Sequence, residues 1–502
     1  MRDFTGSRSA RAAMILSVTA AAALLLLLAP GRGAALSSNA AMHVLRPARG
    51  ADVAAADPRM RDAYRFDRGG WIYVHLSGAP EQVGFQHGYL LADEIEDALQ
   101  AIELESTHST KRDWNFFRET ARNILWPHIE EEYRAELDGI VAGARARGAK
   151  FDRDDLVALN AFEEVPDYYV PWLNQKNKVA GAPHLTSPGN CSAFVATGSY
   201  TRGGKIVIAH NNWTSYWAGE RWRIMFDIAP EKGQRMLMDG FPGAITSDDD
   251  FGVNASGLMI TETTITQFKG FDPDGIPEFV RSRKAMQYAT SIDQYVAIML
   301  DGNNGGYAND WLLGDRKTGE IAMFELGLKN HRLWRTKDGY FVSSNFPRDP
   351  KVLAEETTFD PKNAASSPNA RRTRWEELMD ENKGKIDVAA AERFLGDHHD
   401  VIDHANHADE RTLCGHTDAT ARGIPEWDWG AFYPGGAVQG KATDSSLAGA
   451  MSLWARAGHP CGEDFLAKPF LAAHPEYAWA APILRDMKAG PWTEFRAGEK
   501  KP

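Results

Sequence analysis

Cys191 lies in Pro188-Gly189-Asn190-Cys191-Ser192-Ala193-Phe194, where a turn-rich stretch gives way to a strand-like run. A reactive cysteine so deep in a chain, behind a turn, fits a nucleophile released by cutting the bond between Asn190 and Cys191. The cut leaves a thiol and an α-amine on one residue. An α-amine has an unperturbed pKa of about 7.7–8.0, so it can act as base for its own side chain without an external histidine. Attack on a carbonyl then needs donors for the tetrahedral oxyanion, commonly Asn side chains or backbone N–H groups. Three groups offer them: His210-Asn211-Asn212-Trp213-Thr214-Ser215-Tyr216, Glu262-Thr263-Thr264 and Asn309-Asp310-Trp311.

A second constellation competes. Five of the fifteen histidines fall between Asp397 and His416, beside Cys414. His, Asp and Cys are metal ligands, and such a site with an open position would make a metal-dependent hydrolase. The spacing across His398–His416 matches no compact ligand motif; the plainer reading is a polar loop. A third reading is a non-catalytic exported binding protein that uses the aromatic-rich C-terminal part.

The elements that must position these groups follow from periodicity. Residues 80–165 read as a helical layer: one helix from Pro80 to about Ser106, a second from Trp114 to about Arg147 broken at Pro127, and a third capped by Asp152. From Cys191 the pattern changes to short strands, with a hairpin turn at Thr201-Arg202-Gly203-Gly204 that returns His210 and Asn212 beside the cysteine. Phe279 to Leu300 and Arg371 to Leu395 are helical, and Trp311 to Phe346 is again strand-like. Alternating strand and helix clusters predict a layered α+β domain.

The stretch from Cys191 to Phe346 resembles the phospholipase B-like proteins and the related cysteine acyltransferases (the acyl-coenzyme A:6-aminopenicillanic acid acyltransferase group). The likeness rests on the groups named above, on Phe241-Pro242-Gly243, on Ser247-Asp248-Asp249-Asp250-Phe251, on Gly257-Leu258, and on Thr261 to Ile265 in this order and spacing. Gly84-Phe85-Gln86-His87-Gly88-Tyr89-Leu90-Leu91 extends it upstream. The resemblance implies a four-layer αββα sandwich of the N-terminal nucleophile hydrolase type. It implies self-cleavage at Asn190–Cys191 and acyl transfer or hydrolysis on amides or esters. Under it Cys191 is the nucleophile, Asn309 stabilises the tetrahedral intermediate and His210 lies near the new amine. Asn212, Trp213, Thr214, Glu262, Thr263 and Thr264 line the oxyanion or acyl site. One of Arg371, Arg372 and Arg374 is a further polar partner, with Arg372 taken as the candidate. Phospholipase B-like members usually carry Asp where Thr214 stands, which leaves Asn212 or Asp248 to hold the amine here.

Composition sets the remaining bounds. Apolar residues make up 43% and charged residues 25% of the chain, a globular balance, and the net charge of −12 argues against nucleic acid as a partner. Arg2, Arg8 and Arg11, an apolar run from Ala12 to Pro30 and the small residues Gly33-Ala34-Ala35 read as a secretory signal peptide. Export to a periplasmic or extracellular space, with no stable membrane span after processing, is the expectation. In an oxidising compartment three cysteines leave one unpaired; Cys414 and Cys461 are the expected disulfide, and Cys191 the remaining thiol. The expected organisation is a signal peptide over 1–35 and a helical N-terminal segment over 36–190 that becomes a separate associated chain. An αββα core over 191–395 and a C-terminal extension over 396–502 packed on it complete the chain. No cofactor or metal is expected. The substrate class is a small acyl amide or acyl ester, phospholipid included.

Overall fold

The computed structural model describes residues 57–179, 191–248 and 251–500. The expected signal peptide, Asn190, Asp249 and Asp250 lie outside the described residues. In chain order the strands are β1 (Tyr64–Arg68), β2 (Trp71–Gly78), β3 (Ser192–Gly198), β4 (Gly204–Ser215), β5 (Ile224–Pro230), β6 (Met236–Gly240), β7 (Gly252–Asn254), β8 (Leu258–Thr264), β9 (Asn309–Asp315), β10 (Glu320–Leu326), β11 (His331–Thr336), β12 (Gly339–Ser343), β13 (His399–Asp400), β14 (Ala405–Asn406), β15 (Gly435–Asp444), β16 (Ser452–Ala457) and β17 (Thr493–Arg496). Nine of them form one sheet in the order β1-β2-β5-β6-β7-β8-β9-β10-β11, and six form a second in the order β12-β3-β4-β15-β16-β17. The fold is mixed α+β.

Period-two alternation explains how β3 and β4 can be buried on both faces along most of their length. Val195, Ile206 and Ile208 share a core with Met225, Leu237, Val253, Met259, Leu312 and Met323 of the nine-stranded sheet. Their sequence neighbours Phe194, Ala196, Val207 and Ala209 point to the other side. There they pack against Trp375, Leu378, Ala391 and Phe394, which belong to helices Ser367–Glu381 and Val388–Leu395. The far side of the nine-stranded sheet, with Ile224, Phe226, Ile260 and Trp311, packs against the predicted N-terminal helical layer through Ile95, Leu137, Ile140 and Leu156.

The layer is helical, but the expected first helix is two, Pro80–Leu90 and Ala92–Thr110; the second is Trp114–Thr120 and Glu131–Ala146 with its break around Pro127, and Arg153–Asn160 is the third. Asp152 caps the last of these through a capping box with Asp155. His87 and Gly243, from two separate motifs, meet directly: the Gly243 N–H donates to His87 Nε2 at 3.1 Å. Burial drives the His87 pKa down to about 3, so the ring stays a neutral acceptor.

Two expectations about organisation need correction. Residues 36–190 are not only helical, because β1 and β2 lie in this segment and β2 pairs with β5 in parallel. Residues 396–502 do not merely pack on a finished core. β15 pairs with β4 from Gly435↔Ser215 to Asp444↔Val207, so this part supplies three of the six strands of the second sheet. The Gly-rich run Gly435-Gly436-Ala437-Val438-Gln439-Gly440 hides a strand from a reading based on β-branched residues.

Candidate functional site

Cys191 immediately precedes β3 and is fully buried. The predicted hairpin does return β4 to its side, with Ser192 opposite Asn211 and Ala193 opposite His210. The Cys191 Sγ lies 3.9 Å from Asn212 Oδ1 and 3.8 Å from Glu262 Oε1. Ligand-type atoms of Cys191, His210 and Glu262 all lie within 4.8 Å of one another. The Tyr307 hydroxyl donates to Glu262 Oε1 at 3.1 Å. Its own pKa is pushed far up by burial first and the Glu262 charge next, which keeps it a donor.

The backbone carries strain here. Cys191 has φ 107°, a region that L-residues with a Cβ rarely occupy. Its carbonyl accepts a 2.6 Å hydrogen bond from Arg371 Nη1. The same guanidinium donates to Asn345 Oδ1 at 2.9 Å and to Ser367 Oγ at 3.0 Å, and it lies 4.3 Å above the Trp213 ring. Burial pulls its pKa down to about 9 against the Cys191 charge, so it remains a cation at neutral pH. Asn345 (φ 74°), Tyr307 (φ 51°) and Asp248 (φ 64°) are further left-handed residues; such conformations concentrate at functional sites.

Asn309 begins β9 opposite Thr264, the last residue of β8. It is buried, and among the described residues neither its Nδ2 nor its Oδ1 has a hydrogen-bond partner. Leaving both ends of an amide unsatisfied in a protein interior is costly. Thr263 faces the opposite side of β8 from Glu262. It pairs with Ser343 Oγ at 2.5 Å, and Ser343 in turn donates to Asp310 Oδ2 at 2.7 Å. Burial and the neighbouring Glu325 push the Asp310 pKa well up.

Several expected positions are revised. Arg371, not Arg372, reaches the cysteine. Residues 367, 371 and 375 share the buried side of helix Ser367–Glu381, whereas Arg372 is 41% exposed and pairs with Glu376. Arg374 turns to Asp397 and Glu377. Trp213 points away from Asn212: its Nε1 donates to Leu413 O and its ring packs with Cys414 and Trp427. It therefore supports Arg371 from behind instead of lining the oxyanion site. The Cys414–Cys461 bridge is not formed; each sulfur is directed at His416 Nε2, at 3.6 Å. The acidic cluster of Asp400, Asp403 and Asp409 is neutralised by Arg411 and Arg422.

Next to Thr214 opens a cavity of about 480 Å³ that the sequence did not disclose. Trp217, Trp427, Trp429 and Tyr433 line it together with Glu105, Glu163, Asp167 and Asp428. Burial raises the Glu105 pKa to about 7; burial, then Glu163, Glu105 and Asp428, raises that of Asp167 well above the carboxylate range. The aromatic residues are scattered through the sequence, and only the fold gathers them. Trp427 links the cavity to Arg371, whose guanidinium lies 5.5 Å from its ring.

A family model of phospholipase B matches residues 92–334, which contain Cys191, His210, Glu262 and Asn309. The family this chain matches is phospholipase B. Phospholipase B-like protein F of Dictyostelium discoideum is 31% identical over 139 residues, covering 26% of this chain and 24% of that protein. Phospholipase B-like 1 of Bos taurus is 25% identical over 262 residues, covering 47% and 48%. An uncharacterized protein of Archaeoglobus fulgidus is 23% identical over 283 residues, covering 52% and 44%. The chain thus spans between about a quarter and a half of the length of these curated relatives. Among the described residues, no helix is long and apolar enough to cross a membrane.

Proposed function

We propose that this chain is an exported cysteine hydrolase of the N-terminal nucleophile type that cleaves acyl amides or esters. The observation that carries the reading is the geometry of Cys191: a buried cysteine held at φ 107° by Arg371 on its carbonyl. Strain of this kind persists only where the surroundings enforce it. The order of helical layer, two sheets and second helical layer supports the αββα sandwich.

In this reading the Cys191 thiolate attacks the Asn190 carbonyl, the acyl group moves from nitrogen to sulfur, and water hydrolyses the resulting thioester. The products are a carboxylate on Asn190 and a free α-amine on Cys191. The amine then takes the thiol proton. The thiolate adds to the substrate carbonyl, and the oxyanion accepts a hydrogen bond from Asn309 Nδ2. The ammonium returns its proton to the leaving amine or alcohol. Water, deprotonated by the same amine, resolves the acyl-enzyme. Asn212 and Glu262, beside the sulfur, orient the new amine in place of an acid at position 214.

The aromatic cavity beside Thr214 has a volume that suits one small ligand. Its aromatic lining, with the carboxyl groups of Glu105 and Asp167 held toward their neutral forms, suits a small acyl amide or ester. Intact mass and N-terminal sequencing of the secreted protein beside its Cys191→Ala variant test the mechanism. A chain beginning at Cys191 is expected in the first and no such cut in the second. Two uncut proteins would overturn it.

A further inference from the structure

We infer that His398, Cys414, His416 and Cys461 form a structural zinc site, independently of the chemistry at Cys191. The four ligand atoms lie within 4.8 Å of one another. His416 Nε2 is 3.6 Å from both sulfurs. With Zn–S near 2.3 Å and Zn–N near 2.0–2.1 Å, a tetrahedral centre sets its N and S ligands about 3.6 Å apart. His398 Nε2 is buried and, among the described residues, finds no hydrogen-bond partner outside the cluster, as a ligand nitrogen aimed at a metal would. Two histidines and two cysteines are a zinc donor set, and four protein ligands leave no open position. The site therefore differs in kind from a hydrolytic metal centre.

Three stretches of the chain, around His398, Cys414–His416 and Cys461, converge to build it. His398 follows the helix Val388–Leu395. Cys414 is brought alongside by its N–H bond to Asp397 O at 3.0 Å, and His416 by its N–H bond to Asp409 O at 3.0 Å. Cys461 sits against Gly396, where an added Cβ would come within 3.3 Å of the Cys461 Cα. The His459 ring stacks on His416 with centroids 4.1 Å apart and is anchored through Nδ1 to Ala437 O. Binding converts two thiols to thiolates and releases two protons to solvent, so the ion neutralises the charge it creates.

The site staples the segment on which the catalytic wall rests. Asn211 Nδ2 donates to Leu395 O and Leu413 O, and Trp213 Nε1 donates to Leu413 O. Trp213 in turn underlies Arg371. The full chain, produced in zinc-containing medium without a metal-binding tag, is expected to carry about one zinc ion per chain. Metal content measured by plasma mass spectrometry is expected to fall at least tenfold in Cys461→Ser and in His416→Ala. Because these variants can fail to fold, the wild-type protein is also stripped with chelator and titrated with Co²⁺, where thiolate-to-cobalt charge-transfer absorption is expected. Zinc retained in Cys461→Ser, which marks an adventitious ion, would overturn the site. So would a metal-free wild type whose Cys414 and Cys461 resist alkylation because they form a disulfide, or an absent cobalt spectrum.

Discussion

Asn309 and Arg371 are both buried polar residues at the site, yet their removal has opposite consequences. Among the described residues Asn309 has no side-chain hydrogen-bond partner, so Asn309→Ala breaks no hydrogen bond seen there. Its loss is felt only when an oxyanion forms. Loss of one such donor costs about 10²–10³ in kcat. We expect a drop of that size on a small acyl amide, with KM and thermal midpoint nearly unchanged; a collapse of the midpoint would instead mark Asn309 as structural. Arg371→Leu removes the guanidinium's hydrogen bonds to the Cys191 carbonyl, Asn345 Oδ1 and Ser367 Oγ. Hydrogen bonds to charged groups contribute about 1.5–3 kcal/mol each. Urea unfolding should show a loss of at least about 3 kcal/mol, together with failure of the cut before Cys191. Arg372→Ala, one position along the same helix, should stay within about 0.5 kcal/mol. A reversed order would refute the assignment of Arg371.

Helix Pro80–Leu90 crosses helix Glu131–Ala146 at a contact made almost entirely of glycine. A Cβ on Gly84 would stand 1.9 Å from Glu136 O and one on Gly88 1.9 Å from Ile140 O; from the other helix, Gly143 would press on Phe85 O at 2.1 Å. The obstructing atoms are backbone, which cannot swing away as a side chain would. Gly88→Ala should therefore destabilise by about 1–3 kcal/mol or more, although alanine is the better helix former; a stabilised Gly88→Ala protein in thermal melts would contradict this packing. Element type was legible in the sequence wherever one periodicity dominated, as in the N-terminal helices, the Asp152 cap and the Thr201–Gly204 hairpin. Cys191, His210, Asn212 and Glu262 were legible because two strand ends and one hairpin suffice to bring them together. What escaped depended on facing and on distant partners. The choice of Arg371 over Arg372 turns on a 100° step around a helix whose apolar pattern is weak. β15 is too rich in glycine to announce itself, and the aromatic cavity collects residues from five separate segments.

At the scale of the whole molecule, the two sheets are joined by more than apolar contact. Lys441 on β15 and Asp239 on β6 meet at 3.0 Å between them, and both side chains are fully buried. Asp239 also accepts from Ser247 Oγ at 3.0 Å, and the Lys441 ammonium lies 5.7 Å from the Phe251 ring, on which His210 stacks. The pair therefore fixes one sheet against the other next to the cysteine. Taking two charges out of water costs several kcal/mol each, and mutual attraction offsets this only while both are present. Lys441→Met alone removes the ammonium that Asp239 pairs with and should cost about 3–5 kcal/mol. Lys441→Met combined with Asp239→Leu removes both charges and should recover most of that loss. Stability alone cannot distinguish a structural pair from one that also sets the register of the site. If the pair sets that register, the double variant will fold with near wild-type stability yet cut itself more slowly before Cys191. Unfolding curves and a time course of self-cleavage on the same three proteins separate the two outcomes. Cleavage at the wild-type rate in a stable double variant would confine Lys441 and Asp239 to holding the sheets together.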